Sequence, residues 1–228
     1  MASIKIVATK MVYQKKNKYH KMYFVVSLDD EDTPSFNVVN YVNSDLGMGD
    51  AFCKEISVKS ITEWNDAFDT IIKESSAESI PIVYIECHGD RNGNLVVGGA
   101  KSVEKVKVKN LLSQMDLLAK KCNQKILLVT AICHGLYFYR KMSKLGKDSP
   151  LSCVIGSYTK QSSFDICDRY KKFFEEFFKN KEAGNVNSAF HAMGNVYKGK
   201  ANLKELAKGK RYGILTHKSK RFLSKNDV

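Results

Sequence analysis

From residue 80 onward, short apolar runs alternate with stretches whose apolar positions recur every three or four residues. "IPIVYIE", "KILLVTAIC" and "LSCVIGSYT" are almost continuously apolar, the pattern of strands in a sheet covered on both faces. Between them lie helical patterns. "VKNLLSQMDLLAKKC" sets Val108, Leu111, Leu112, Met115 and Leu118 on one side, and "GLYFYRKMSKLG" predicts a helix closed by Gly146. "SSFDICDRYKKFFEEFFKN" predicts an amphipathic helix with Cys167, Tyr170, Phe174 and Phe177 facing one way. "VNSAFHAMGNVY" and "LKELAK" predict shorter helices, and "RYGILTH" a last strand. Upstream, Ser60, Ile61, Thr62 and Glu63 form a capping box. It opens a helix carrying Ile61, Trp64, Phe68, Ile71 and Ile72, which ends before Pro81.

The first fifty residues read differently. "IKIVATKMVY" and "KMYFVVSL" flank the polar residues 14–20, which predicts a β-hairpin. "DDEDTP" predicts an acidic loop, "FNVVNYV" a further short strand and "DLGMGD" a glycine-punctuated loop. "GNLVVGG" predicts a small β element between the first two buried strands. Strands alternating with helices point to an α/β three-layer architecture: a central, largely parallel sheet flanked by helices, plus the N-terminal hairpin. In such sheets the working groups sit beyond the carboxyl ends of the strands.

The length of 228 residues suits one domain, residues 1–228, with a β-rich part at 1–50 and a basic segment at 198–228. That segment holds ten Lys/Arg against Glu205 and Asp227, so it carries +8 of the +13 net charge. It reads as a solvated surface, or as an electrostatic patch for nucleic acid, an anionic membrane or an acidic protein. No nucleic-acid motif or interleaved aromatic platform accompanies it. No apolar run is long enough for a membrane span, and the N-terminus lacks a secretory apolar core. Six irregularly spaced cysteines without an export signal predict free thiols in a reducing cytoplasm. No Cys-x-x-Cys pair exists to build a zinc ribbon.

Two buried strands end in the same triplet: Cys87-His88-Gly89 and Cys133-His134-Gly135. All four Cys and His residues are chemically capable metal ligands. Neighbours in an extended strand point to opposite faces, however, so neither Cys-His pair can aim at one ion without a bend. No metal is expected. Nucleophilic catalysis fits better, since adjacent parallel strands bring their ends within about 5 Å. A histidine from one tip and a cysteine from the other then meet above the sheet, and only alternate members of each triplet are used. His88 opens the glycine loop "GDRNGN" and is free to lean over the sheet edge. Cys133 precedes a predicted helix start, whose partial positive charge lowers a thiol pKa. The backbone N–H groups of Cys133 and Gly89 can together hold an oxyanion. Cys87 reads as a small buried hydrophobe, and His134 as a residue hydrogen-bonding locally within the turn.

A buried strand ending in His-Gly-Asp, a β element, a helix, then a buried strand ending in Ala-x-Cys resembles the caspase-like cysteine peptidases. The sequence is most similar to the CHAT branch, related to caspases and separase. CHAT domains continue with a strand, a polar acidic loop, a Phe/Tyr-rich helix and an Ala-Phe helix, matched here by "CVIGSYTKQSSFD", "RYKKFFEEFF" and "NSAFHAMGN". The resemblance spans about residues 80–197. It implies a caspase-like fold and an endopeptidase that needs no metal or organic cofactor. His88 would be the base or proton shuttle, Cys133 the nucleophile and Gly89 an oxyanion donor. Caspases carry Gln-Ala-Cys-x-Gly, whereas here Ile132 separates Ala131 from Cys133. Clostripain-like relatives place an acid beside the nucleophile, and Thr130, Ala131 and Ile132 supply none. Asp165 matches the position at which separase-type enzymes hold a basic substrate side chain. It also suits the stabilisation of its own helix's first turn.

The resemblance further implies a protein substrate, a regulatory or sensor partner on another chain, and an antiviral defence or regulated-death role. Two other readings stand beside it: a catalytically idle caspase-like binding module, and a basic nucleic-acid-binding protein whose triplets are core residues.

Overall fold

The computed structural model describes residues 19–28, 35–90, 92, 94–99, 101–132, 149–157, 163–179, 186–195, 212–216 and 223–224. Four long apolar segments form the spine of the sheet: β1 (Tyr19–Ser27), β3 (Ile80–Gly89), β6 (Ile126–Ile132) and β7 (Leu151–Ser157). Each pairs in parallel with its neighbour, in the order β1-β3-β6-β7. β2 (Cys53–Ser57) adds in parallel outside β1. β8 (Tyr212–Thr216) and β9 (Leu223–Ser224) close the other side antiparallel. β4 (Leu95–Val96) and β5 (Lys105–Val106) form a small antiparallel appendage on the end of β3.

The apolar runs are continuous because both faces of the sheet are covered. Ile82, Val83 and Ile85 in β3 are fully buried, each contributing roughly 1.5–3 kcal/mol. Tyr23 and Phe24 show the two sides directly. Tyr23 donates its hydroxyl to Glu74 at the end of α2 (Ile61–Glu74), while Phe24 packs on Tyr84, which meets the other helix layer. The first layer is α2 with α3 (Val108–Cys122), joined by Trp64 Nε1 donating to Gln114 Oε1 at 3.0 Å. The second is built from α1 (Ser35–Asn40), α4 (Ser163–Phe177) and α5 (Val186–Asn195). The expected three-layer α/β architecture with a largely parallel sheet is therefore present. Among the described residues no helix is long and apolar enough to cross a membrane.

The helix start is capped as expected by Ser60, but the return bond of Glu63 reaches Lys59, one residue before the cap. Glu63 N–H donates to Ser60 Oγ, and Glu63 Oε2 accepts from the backbone N–H of Lys59. Of the apolar positions read for α2, Trp64, Phe68 and Ile71 are buried, Ile72 is partly buried and Ile61 is exposed. Of the N-terminal hairpin's arms, residues 4–13 lie outside the described residues. The second arm is β1, an interior strand with parallel partners on both sides. "FNVVNYV" is not a strand. Residues 35–40 are α1, continued by a wide π turn at Tyr41–Asp45 in which Leu46 N–H reaches Tyr41 O. Val38 and Val42, four apart, are both fully buried, so helical burial overrides the β-branched preference of the run. β2 was not foreseen, because its burial weakens along an edge strand containing Lys54 and Glu55. The acidic loop at 29–34 and the predicted helices at 135–146 and 203–208 lie outside the described residues.

Candidate active site

β3 leaves the sheet at His88. Its register with β1 ends at Ser27–Cys87, and with β6 at Cys87–Ile132. The next two residues pair instead with β4: His88 with Val96 and Gly89 with Leu95. Asp90 fixes the turn that follows. Its Oδ1 accepts from the backbone N–H groups of Asn92 and Asn94, and its Oδ2 from Asn94 Nδ2 and Lys105 Nζ. Burial alone would raise the Asp90 pKa. The bonds from Asn94, Lys105 and Asn92 outweigh it and hold the carboxyl below its usual range. Asp90 thus ties Asn92 and Asn94 back to the end of the strand carrying His88.

Alternation along β3 separates the members of the first triplet. Tyr84 packs edge-on against Tyr170 of α4, so Tyr84, Glu86 and His88 share the α4 side. Cys87 points to the other side and is buried in the core, as a small hydrophobe. His88 is half-buried. Its Nε2 is shielded from solvent and has no hydrogen-bond partner among the described residues. A buried unpaired ring nitrogen costs about 1–3 kcal/mol, so it is an unusual thing to find in a purely structural histidine.

Gly89 stands opposite Leu95 of β4. Asp90 N–H donates to Asn94 O on one side of it, and Val97 N–H donates to Glu104 O in the β4–β5 pair. Alternation in antiparallel ladders then makes His88–Val96 the bonded pair and Gly89–Leu95 the unbonded one. The Gly89 N–H is therefore turned away from β4.

Ile132 is the last described residue of β6. Cys133 and His134 lie outside the described residues. Asp165 stands in the first turn of α4, and its side chain likewise lies outside the described residues.

Behind the two strand ends is a buried polar cluster that the sequence pattern did not single out. Glu86 is fully buried and accepts from Tyr84 Oη at 3.0 Å. It pairs in register with Ala131, so a carboxylate does stand beside the end of β6, supplied by the neighbouring strand. Tyr170 donates its hydroxyl to Thr130 O at 2.8 Å, and Thr130 Oγ1 donates to Ile155 O at 2.8 Å. Arg169, also buried, donates to Met193 O of α5 at 3.1 Å. The signal for Glu86 was a lone carboxylate in an otherwise apolar strand. Tyr170 gave none, because a tyrosine on an apolar helix face reads as packing.

The layered arrangement is shared with a solved structure, that of caspase-1 from Spodoptera frugiperda. The TM-score is 0.55 at 12% sequence identity, over 88% of this chain and 88% of that chain. The fold is caspase-like. No family model matches the chain, and no curated protein matches it. Within this caspase-like fold, the described tips of β3 and β6 are adjacent carboxyl ends of parallel strands. Among the described residues no group of three His, Cys, Asp or Glu side chains is placed to hold a metal.

Proposed function

We propose that the chain is a cysteine endopeptidase of the CHAT type, working through His88 and Cys133. One observation carries this reading: the solvent-shielded Nε2 of His88, without a partner among the described residues, at the β3 tip one register step beyond the Cys87–Ile132 pair. Cys133 is the next residue in the sequence after Ile132, and a β6 carried one residue further in the same register would pair it with His88. Val129 and Ala131 pair with Tyr84 and Glu86, and the dyad requires the same alternation to carry on by one residue to Cys133.

In this mechanism His88 takes the Cys133 thiol proton and the sulfur attacks the substrate carbonyl carbon. The Gly89 N–H, unbonded to β4, and the Cys133 N–H hold the developing oxyanion. Collapse breaks the C–N bond, His88 returns the proton to the leaving amine, and water then hydrolyses the thioester. No metal or organic cofactor takes part. The protein works on a protein substrate in the cytoplasm, held inactive until a partner or signal arrives, as a defence or regulated-death effector. The caspase-like fold supports the reaction class, and the triplet spacing supports the residue roles.

A proteome-wide profile of new N-termini tests this. Cleavage is expected with the wild type and absent with Cys133→Ala and with His88→Ala. Cleavage that persists in Cys133→Ala would remove the nucleophile. The same profile assigns Asp165. A preference for Lys or Arg that is lost in Asp165→Asn marks a substrate contact, and an unchanged profile leaves a helix-start carboxylate.

A further inference from the structure

β6 and β7 stay in register only as far as Val129–Ile155, although β6 runs on to Ile132 and β7 to Ser157. Past that pair, side-chain bonds join the two strands to each other and to α4. Thr130 Oγ1 donates to Ile155 O, which ties β6 to β7. The Thr130 carbonyl accepts from Tyr170, which ties β6 to α4. Tyr170 is fully buried, and its ring meets Tyr84 edge-on at 5.4 Å, so its position is fixed from the β3 side as well.

The hydroxyl itself is informative. The other aromatic residues that this helix and its following turn bury, Phe173, Phe174, Phe177 and Phe178, all lack one. Packing alone would be served by phenylalanine at 170. A hydroxyl taken out of water without a partner costs about 1–3 kcal/mol, so its bond to Thr130 is tightly specified. Burial, with Glu86 nearby, pushes the phenol pKa up and keeps the group protonated as a donor.

We propose that Tyr170 is a positioning residue. Its hydroxyl, bonded to the Thr130 carbonyl, holds the end of β6 at residues 130–132, the strand end from which the proposed dyad requires Cys133 to meet His88. This rests on the dyad proposed above, and two measurements keep the ideas separable. The first is hydrogen exchange on Tyr170→Phe, which removes only the hydroxyl. Faster exchange is expected at residues 130–132, with β1 and β3 unchanged. Unaltered exchange at 130–132 overturns the proposal whatever the enzyme does. The second is the pH profile of Cys133 alkylation by iodoacetamide, in wild type, Tyr170→Phe, His88→Ala and a packing control, Phe174→Leu. Tyr170→Phe is expected to slow Cys133 alkylation at neutral pH roughly tenfold and to move its midpoint upward, as a small misplacement of reacting groups does. Phe174→Leu is expected to lower stability while leaving the profile in place. Faster exchange with an unmoved profile overturns the positioning role and leaves a stabilising bond. Equal alkylation in wild type and His88→Ala sinks the dyad, and the positioning of Cys133 with it.

Discussion

Burial pushes up the thiol pKa of Cys53, to about 12, and raises those of Cys122, Cys153 and Cys167. Cys87 is buried within β3. The raised pKa makes Cys53, Cys122, Cys153 and Cys167 poor nucleophiles at neutral pH, because the thiolate is the reactive form. Brief iodoacetamide treatment of the folded protein is therefore expected to modify Cys133 first, as read by peptide mass spectrometry. Cys167, partly exposed, is expected to follow as the slow second site. Labelling of Cys167 at the rate of Cys133 would count against an activated thiol at 133. The residue scale is also where the sequence misled least and withheld most. The place of His88 and Gly89 at the end of β3 was legible because a polar residue and a glycine interrupt an apolar strand. The contacts of Glu86 and Tyr170 were not, because a hydrogen bond to a distant carbonyl leaves no periodic mark in the chain.

An ionic cluster among the described residues joins the end of α2 to β1 and β2. Glu74 accepts from Lys54, Lys21 and Tyr23, and these bonds lower its pKa from about 4.5 to about 2. A depressed carboxylate stabilises the fold above its ordinary pKa, and that contribution is lost as pH falls through the folded value. The group is about one-third exposed, so solvent screening leaves the cluster worth roughly 1 kcal/mol. Glu74→Gln is expected to lose about that much in urea unfolding at pH 7, with the deficit closing between pH 4.5 and 2. A deficit independent of pH would assign the loss to packing. Elements were read well where burial is two-sided or the amphipathic stripe is long, as in β3, β6, α2 and α3. The reading failed where the signal is short. Residues 35–40 look extended by composition but coil because Val38 and Val42 must share one face. β2 was missed because an edge strand needs only half an apolar pattern.

One cluster of buried side chains runs from Tyr19 in β1 to Met193 in α5, through both helix layers. Its continuity predicts a single cooperative transition. The sole tryptophan, Trp64, is fully buried in α2 on the layer opposite α4. Its fluorescence and the far-UV circular dichroism are expected to trace one curve in urea. A separate, earlier fluorescence change would show that the α2–α3 layer detaches first. The net charge of +13 was legible from composition, but its partner was not, because charge identifies a sign and no chemistry.

The order β2-β1-β3-β6 has a bearing on how the chain is born. β1 leaves the ribosome before its neighbour β3 is complete at Gly89 and before β6 is complete at Ile132. A nascent fragment that stops before β6 holds an imidazole with no facing strand. The two halves of the proposed dyad meet only once β6 has joined β3, so the topology itself withholds any cutting power until that pairing forms.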